Sequence, residues 1–320
     1  MRRETIAVQI GEVVLSSEQP VLVQSMLNTS TLDTEACVEQ SIRIIEAGGQ
    51  LVRITAPGVK EAENLKNIRD ILRERSYTVP LSADIHFSPA AALVAARYVE
   101  KVRINPGNFV DKRATFQNLV YTEEEYAAEL QQLKCKFTEF LDECRRHHTA
   151  VRIGTNHGSL SDRIMSRYGN TPAGMVEATM EYLRICQEIG FDQVVISLKS
   201  SDCRIMVEAV RLLVKEMEKA GMKYPLHLGV TEAGEGEDGR IRSAVGIGCL
   251  LNKGIGDTIR VSLTEAPEQE IPVARTLIGL CRPMYQPGRL YAMGRSTKPV
   301  IVADLSLIHI SEPTRPEPIS

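Results

Sequence analysis

The sequence predicts an α/β fold, and within that class a closed (β/α)8 TIM barrel, from three observations. Short apolar segments rich in β-branched residues alternate with longer segments whose apolar residues recur every three or four positions. Strands separated by helices pair in parallel, and eight of them over a chain of this length are typical of the barrel. The eight predicted strands are Val21–Gln24, Leu51–Ile54, Leu81–Asp84, Lys101–Ile104, Ala150–Ile153, Gln193–Leu198, Leu226–Gly229 and Thr258–Ser262.

The helical segments between these strands carry recognisable end signals. Asp33 is placed to cap the first helix and Gly48 follows its end. Gly234–Gly239 matches the pattern G-x-G-x-x-G, but its three acidic residues would repel a pyrophosphate, so we expect a loop over the barrel mouth. The clearest predicted helices are Thr34–Ala47, Ala62–Arg73, Glu123–His147, Ala173–Ile189 and Arg204–Ala220.

Composition divides the chain into three regions. Residues 1–281 hold the predicted barrel, and Thr5–Leu15 predicts two short strands around Gly11, a hairpin that closes the barrel bottom. Residues 282–305 contain prolines and glycines and predict a linker or the start of a further, truncated domain. Residues 306–320 resemble translated vector sequence and are interpreted as a non-native tail.

Charge and cysteine usage exclude several function classes. The net charge of −3 gives no indication of nucleic-acid binding, and no apolar run is long enough to cross a membrane. Without a signal peptide, the expected location is cytoplasmic. The seven cysteines are irregularly spaced and include no C-x-x-C pair, so neither a disulfide framework nor a metal site is expected in this chain.

Cations stand near the end of five predicted strands, at the edge where barrel enzymes hold their active sites. A cation inside an apolar strand is costly to bury unless it is paired, so a multiply charged anion is the simplest shared partner. These cations are Arg53, Arg103, Arg152, Lys199 and Arg260, and the neutral donors Asn105, Asn156, Ser197 and Ser262 lie near them in sequence.

Two carboxylates also stand at strand ends. Asp84 closes the third strand, with His86 two residues further on, and either could orient a cation or a substrate hydroxyl. Glu232 follows the seventh strand among small residues and is the leading candidate for proton transfer. Alternatively, the cations pair with Asp84 and Glu232 in a solvated ion network that binds no ligand.

Six segments, in order, resemble the 4-hydroxy-3-methylbut-2-enyl diphosphate synthases, iron–sulfur enzymes of the non-mevalonate isoprenoid pathway. The helical stretch Thr122–His148 resembles the larger, three-domain form of that family. The segments are Val23–Met26, Val52–Thr55, Asp84–Phe87, Arg103–Gly107, Arg152–Leu160 and Gly229–Gly234.

The resemblance implies reductive ring opening of 2-C-methyl-D-erythritol 2,4-cyclodiphosphate, with ferredoxin or flavodoxin as electron donor, and it is compatible with a homodimer. It implies that Glu232 faces the reacting end of the substrate. It also implies a [4Fe–4S] cluster on a C-terminal domain, held by three cysteines and a glutamate. Because this chain has no C-x-x-C pair, we expect it to hold no cluster and to be inactive alone. The substrate-binding residues that the motif match implies are Arg53, Arg103, Asn105, Arg152, Asn156, Lys199, Arg260 and Ser262, with His86 nearby.

Two other functions fit the same pattern. One is a barrel that binds a phosphorylated metabolite without turnover. The other is a transferase similar to dihydropteroate synthase, which has the same architecture and binds a pterin diphosphate. That enzyme would need polar groups for the pterin inside the barrel, and five rim cations exceed its needs.

Overall fold

The computed structural model describes residues 2–111 and 120–281, which form the predicted closed barrel. All eight barrel strands are parallel, in the order β8-β7-β6-β5-β4-β3-β10-β9, and a bridge between Ile196 and Leu226 joins the two end strands. The strands are β3 (Leu22–Met26), β4 (Leu51–Thr55), β5 (Leu81–Asp84), β6 (Lys101–Ile104), β7 (Ala150–Asn156), β8 (Val194–Lys199), β9 (His227–Leu228) and β10 (Thr258–Ile259).

Alternation along the strands separates a polar interior from an apolar layer under the helices. In β6, for example, Val102 and Ile104 belong to the main hydrophobic core, whereas Lys101 and Arg103 extend their charges into the barrel. Nine α-helices are found in the described residues, and a 3-10 turn at Pro267–Gln269 precedes the last. They are α1 (Thr34–Glu46), α2 (Val59–Glu74), α3 (Pro89–Ala95), α4 (Glu123–His147), α5 (Asp162–Tyr168), α6 (Pro172–Glu188), α7 (Cys203–Lys219), α8 (Gly236–Leu251) and α9 (Glu270–Cys281).

The five predicted helices are confirmed to within a few residues, and the side chain of Asp33 caps α1 by accepting from Ala36 N at 3.1 Å. The loop expected over Gly234–Gly239 is wrong in its second half, because α8 begins at Gly236. Glycines disfavour helices and conceal this one in the sequence. They are needed for close packing: a Cβ at Gly246 would lie 2.6 Å from Val230 Cγ2.

A β-hairpin closes the bottom of the barrel, as predicted. Its strands, β1 (Val8–Ile10) and β2 (Val13–Leu15), pair antiparallel around Gly11. Val8, Ile10 and Leu15 are fully buried. They form a second hydrophobic cluster with residues near the starts of four barrel strands, namely Leu22, Leu51, Ala150 and Val195.

The predicted linker at 282–305 and the tail at 306–320 lie outside the described residues. The barrel boundary at residue 281 coincides with the end of α9 and stays a prediction. No helix in the ranges 2–111 and 120–281 is long and apolar enough to span a membrane.

Truncating Ile10 tests the hairpin's role as an apolar floor. Because Ile10 is fully buried, Ile10→Ala should lower the free energy of unfolding by about 2–5 kcal/mol, measured by urea denaturation. Val13→Ala, on the half-buried side of the same hairpin, should cost distinctly less. Equal losses for the two variants would argue against a closing floor.

A candidate anion-binding site inside the barrel

Six cations lie inside the barrel, and each is at most 9% exposed. The five predicted from the sequence are joined by Lys101, and we call this set the barrel cations. Among the described residues, the carboxylates in contact with them are Asp84 and Glu270, both 1% exposed. The barrel cations are Arg53, Lys101, Arg103, Arg152, Lys199 and Arg260.

Asp84 is the centre of one half of the site. Its Oδ2 accepts from Arg53 and its Oδ1 accepts from Arg103 Nη1 at 3.0 Å, while His86 Nε2 lies 3.1 Å from Oδ2. Burial opposes ionisation of this carboxyl, but the charges of Arg53 and Arg103 outweigh it and hold the pKa of Asp84 well below its usual range. Asp84 is therefore a fixed anion that orients two arginines and His86.

Glu270 performs the same task for Arg260. The two groups form a bidentate pair, with Nε–Oε2 at 3.1 Å and Nη2–Oε1 at 3.0 Å. Ser25 Oγ donates to the same carboxylate at 2.6 Å, and Leu263 N donates to it at 3.2 Å. Arg260 is thus fixed in place by the first residue of α9.

A polar layer lies below these arginines, towards the closed end. Lys101 Nζ donates to Gln24 Oε1 at 3.3 Å, and Gln24 Nε2 lies 2.8 Å from a ring nitrogen of His227. Burial and the nearby positive charges lower the pKa of Lys101 and that of His227 well below their ordinary values. Lys101, the cation of this deepest polar layer, therefore has no carboxylate partner among the described residues.

Arg152 and Lys199 are the barrel cations whose side chains have no hydrogen-bond partner among the described residues. Arg152 comes no closer than 3.9 Å to Asp84, and its Nε and Nη1 are buried without a hydrogen-bond partner. The side chain of Lys199 has no ion-pair partner among residues 2–111 and 120–281 either. Burial, reinforced by the charges of Arg53 and Arg103, lowers the pKa of Arg152 well below its ordinary value, and burial lowers that of Arg53 to about 10. These orphaned donors are what an anionic ligand would satisfy.

Two glycines make room for the cations. A Cβ at Gly154 would lie 2.5 Å from Arg103 Nε, and one at Gly229 would lie 2.9 Å from Lys199 Nζ. The Gly154 carbonyl also accepts from Arg103 Nη2 at 2.7 Å. Any larger residue at either position would displace a charged group.

The other predicted site residues lie around this cluster and differ in burial and in hydrogen bonding. Ser197 is buried beside Gly154, whereas Asn105 is buried but donates to Ser159 Oγ at 3.0 Å. Asn156 ends β7, and Ser262 lies two residues beyond Arg260; both are partly exposed. Their roles as substrate ligands stay predictions.

Glu232 is exposed in the loop after β9, in a left-handed backbone conformation with φ of 52°, and has no ion-pair partner among the described residues. The predicted alternative, in which the cations pair with Asp84 and Glu232 and bind no ligand, is therefore wrong for Glu232. Asp84 pairs with Arg53 and Arg103, but Arg260 pairs with Glu270 and not with Glu232. These three ion pairs involve two carboxylates, so an excess of cations remains among the described residues.

Sequence reasoning missed four residues of the site. Lys101 and Gln24 could have been found from alternation, since each lies two residues from another inward position on its strand, Arg103 or Met26. His227 likewise lies two residues from Gly229, which faces Lys199 inside the barrel. Glu270 carries no such signal, because it begins a helix that the apolar pattern did not reveal.

The cysteines do not converge on a metal site. All seven lie in the described residues, four of them buried, and no group of three or more His, Cys, Asp or Glu side chains within these ranges is placed to hold a metal ion. Burial raises the pKa of the Cys144 and Cys186 thiols, which disfavours the thiolate that a cluster requires. The described residues thus do not fit a [4Fe–4S] cluster.

The closed barrel and its uncompensated cations define a class: (β/α)8 barrels with a buried cluster of cations at the strand ends. The family model described as the GcpE TIM-barrel domain matches residues 5–275, and this chain belongs to that family.

Two relatives show the extent of the likeness. The chain is 64% identical over 277 residues to a Phocaeicola vulgatus protein named 4-hydroxy-3-methylbut-2-en-1-yl diphosphate synthase (flavodoxin), covering 87% of this chain and 45% of that protein. It is 52% identical over 280 residues to the chloroplastic, ferredoxin-dependent synthase of Arabidopsis thaliana, covering 88% and 38%. The chain spans less than half the length of these curated relatives.

Solved structures support the fold alone. The dihydropteroate synthases of Yersinia pestis, in a sulfonamide drug complex, and of Stenotrophomonas maltophilia align with TM-scores of 0.54 and 0.55 at 12% identity. The alignments cover 87% and 88% of this chain, and 98% of each of those chains. At 12% identity these structures share the architecture of this chain, and they give no support to a dihydropteroate-synthase site in it.

The pH dependence of stability tests whether Lys101 is a buried, uncompensated cation. Because its pKa in the folded state lies below the unfolded value, the unfolded state binds more protons, and stability should rise with pH above the folded pKa. The wild-type free energy of unfolding should therefore gain on that of Lys101→Met as the pH is raised towards the ordinary lysine pKa of 10.5, by at most about 1.4 kcal/mol per pH unit. Parallel curves would contradict the assignment. As a control, the free energy of unfolding of Lys66→Met, which lacks a surface cation paired with Asp70, should run parallel to that of the wild type as the pH changes.

Proposed function

We propose that this barrel binds 2-C-methyl-D-erythritol 2,4-cyclodiphosphate and, within a full-length synthase, serves its reductive ring opening to 4-hydroxy-3-methylbut-2-enyl diphosphate in isoprenoid biosynthesis. The observation that carries the proposal is the set of six buried cations, to which the described residues bring two carboxylate partners, Asp84 and Glu270. A cyclic diphosphate brings about two negative charges into a buried space, which such an excess would neutralise. The names of the relatives, which specify the diphosphate product, support the same reaction.

The residues have separable tasks in this proposal. The arginines bind phosphate oxygens through forked N–H donors, and Lys199 adds a point charge. Ser197, Ser262, Asn105 and Asn156 supply neutral donors. Asp84 keeps its arginine partners oriented before the ligand arrives, which reduces the ordering cost of binding.

The chemical step takes up two electrons and one proton. A ring carbon–oxygen bond to phosphate breaks, the hydroxyl on the neighbouring carbon leaves as water, and a carbon–carbon double bond forms. Negative charge collects on the released phosphate oxygen, where the barrel cations stabilise it. Glu232 follows the end of β9 and is exposed in the loop after it. It is the proposed donor of the proton to the leaving hydroxyl.

The electrons must come from outside the described barrel. We propose that a [4Fe–4S] cluster elsewhere in the full-length protein, reduced by flavodoxin or ferredoxin as in the relatives' names, supplies them, and that the protein forms a homodimer. The cysteines of this chain do not converge within the described residues and offer no site for a cluster. That observation favours substrate binding without turnover as the property of this chain by itself.

The cytoplasmic location also stays a proposal, since the Arabidopsis relative is chloroplastic.

Binding of the cyclic diphosphate should depend on Arg152. Calorimetric titration should show Arg152→Ala binding about ten- to a hundred-fold more weakly than the wild type, because hydrogen bonds to charged groups are lost. Arg204→Ala, which removes an arginine whose side chain is 92% exposed on α7, should bind like the wild type. Equal affinities for all three proteins, or no binding by the wild type, would refute the site.

Turnover should depend on Glu232 without a matching loss of affinity. In a full-length synthase carrying this barrel, Glu232→Gln should lower kcat about a hundred-fold or more while the affinity for the cyclic diphosphate stays within a few-fold. Glu235→Gln, which changes an exposed acid in the same loop, is the matched control. Retained activity in Glu232→Gln would remove it from the mechanism.

A further inference from the structure

Lys199 differs from the other barrel cations in having a free and reachable amine. It ends β8, and its side chain has neither an ion pair nor a hydrogen bond within the described ranges. The residue is 6% exposed, and its Nζ, unlike Nη1 of Arg152, is not sealed from solvent. A Cβ at Gly229 would lie 2.9 Å from the Nζ, so the glycine allows the amine to take up this position.

The groups that face Lys199 disfavour its protonation. The nearby carboxylates, Asp84 and Glu270, are already engaged with arginines. Burial, reinforced by the surrounding arginines, lowers the pKa of Lys199 well below its ordinary value. The charged and titratable groups around it are Arg152 on β7, Arg53 on β4, Arg260 after β10, Arg103 on β6 and His227 on β9.

We propose that Lys199 is a nucleophilic amine that captures small phosphorylated aldehydes as an imine, with the phosphate held by the neighbouring arginines. The Nζ lone pair attacks the carbonyl carbon to give a carbinolamine, whose hydroxyl then leaves as water while nitrogen loses its proton. The step is reversible and needs no oxidant or reductant. The proposal rests only on the anion-binding part of the proposed function, and ring opening plays no part in it.

Pyridoxal 5′-phosphate is a suitable probe, because borohydride reduces its imine to a stable secondary amine that peptide mass mapping can locate. At pH 7 Lys199 should be labelled at least about ten times faster than Lys215, an exposed lysine on α7. Inorganic pyrophosphate should suppress the labelling of Lys199 and leave that of Lys215 unchanged. Lys101, whose amine donates to Gln24 in the deeper layer, should stay unlabelled.

Lys199→Arg removes the amine and should lose the barrel label, while Lys215 is labelled as in the wild type. Anion binding is measured separately, by calorimetric titration of the wild type with pyrophosphate. Pyrophosphate competition on the wild type gives the same information if the variant does not fold. Labelling confined to surface lysines while pyrophosphate still binds would overturn this proposal alone. Absence of pyrophosphate binding would also overturn the proposed function.

Discussion

The constraint on which the structure depends is the concentration of six cations in a barrel interior that contributes two carboxylates to their neutralisation. Burying an unpaired charge is unfavourable, and like charges a few ångströms apart add repulsion. A protein shaped for stability alone would place apolar side chains there, as most barrels do. The barrel interior therefore carries unfavourable charge repulsion, which binding of the proposed dianionic ligand would relieve.

The rest of the fold accommodates this arrangement. Asp84 and Glu270 hold three of the arginines in fixed orientations, and Gly154 leaves the space that one of them occupies. Below, the hairpin closes the barrel with a wholly apolar cluster that includes Ile10 and Leu15. The hairpin thus closes the charged layer from below, and the proposed substrate would enter at the strand ends, where Glu232 lies.

Much of this organisation could be predicted from the sequence, because its signals are local. An arginine between two apolar residues of a strand stays recognisable without a structure, and so do the alternation of strands and helices and the capping of α1 by Asp33. The partner of Arg260 could not be predicted, since Glu270 reaches it only through tertiary packing of α9. Helix α8 was missed because close packing at Gly246 demands the residue that local propensity disfavours.

The most direct test of the account is the free energy of unfolding of the wild type and of Arg152→Met, each with and without saturating pyrophosphate. Without the anion, Arg152→Met should be more stable than the wild type, because an uncompensated buried charge is replaced by an apolar side chain of similar length. With pyrophosphate the order should reverse, since the wild type binds it more tightly and gains more stability. A variant that is less stable under both conditions would show that Arg152 is already compensated and would contradict the account.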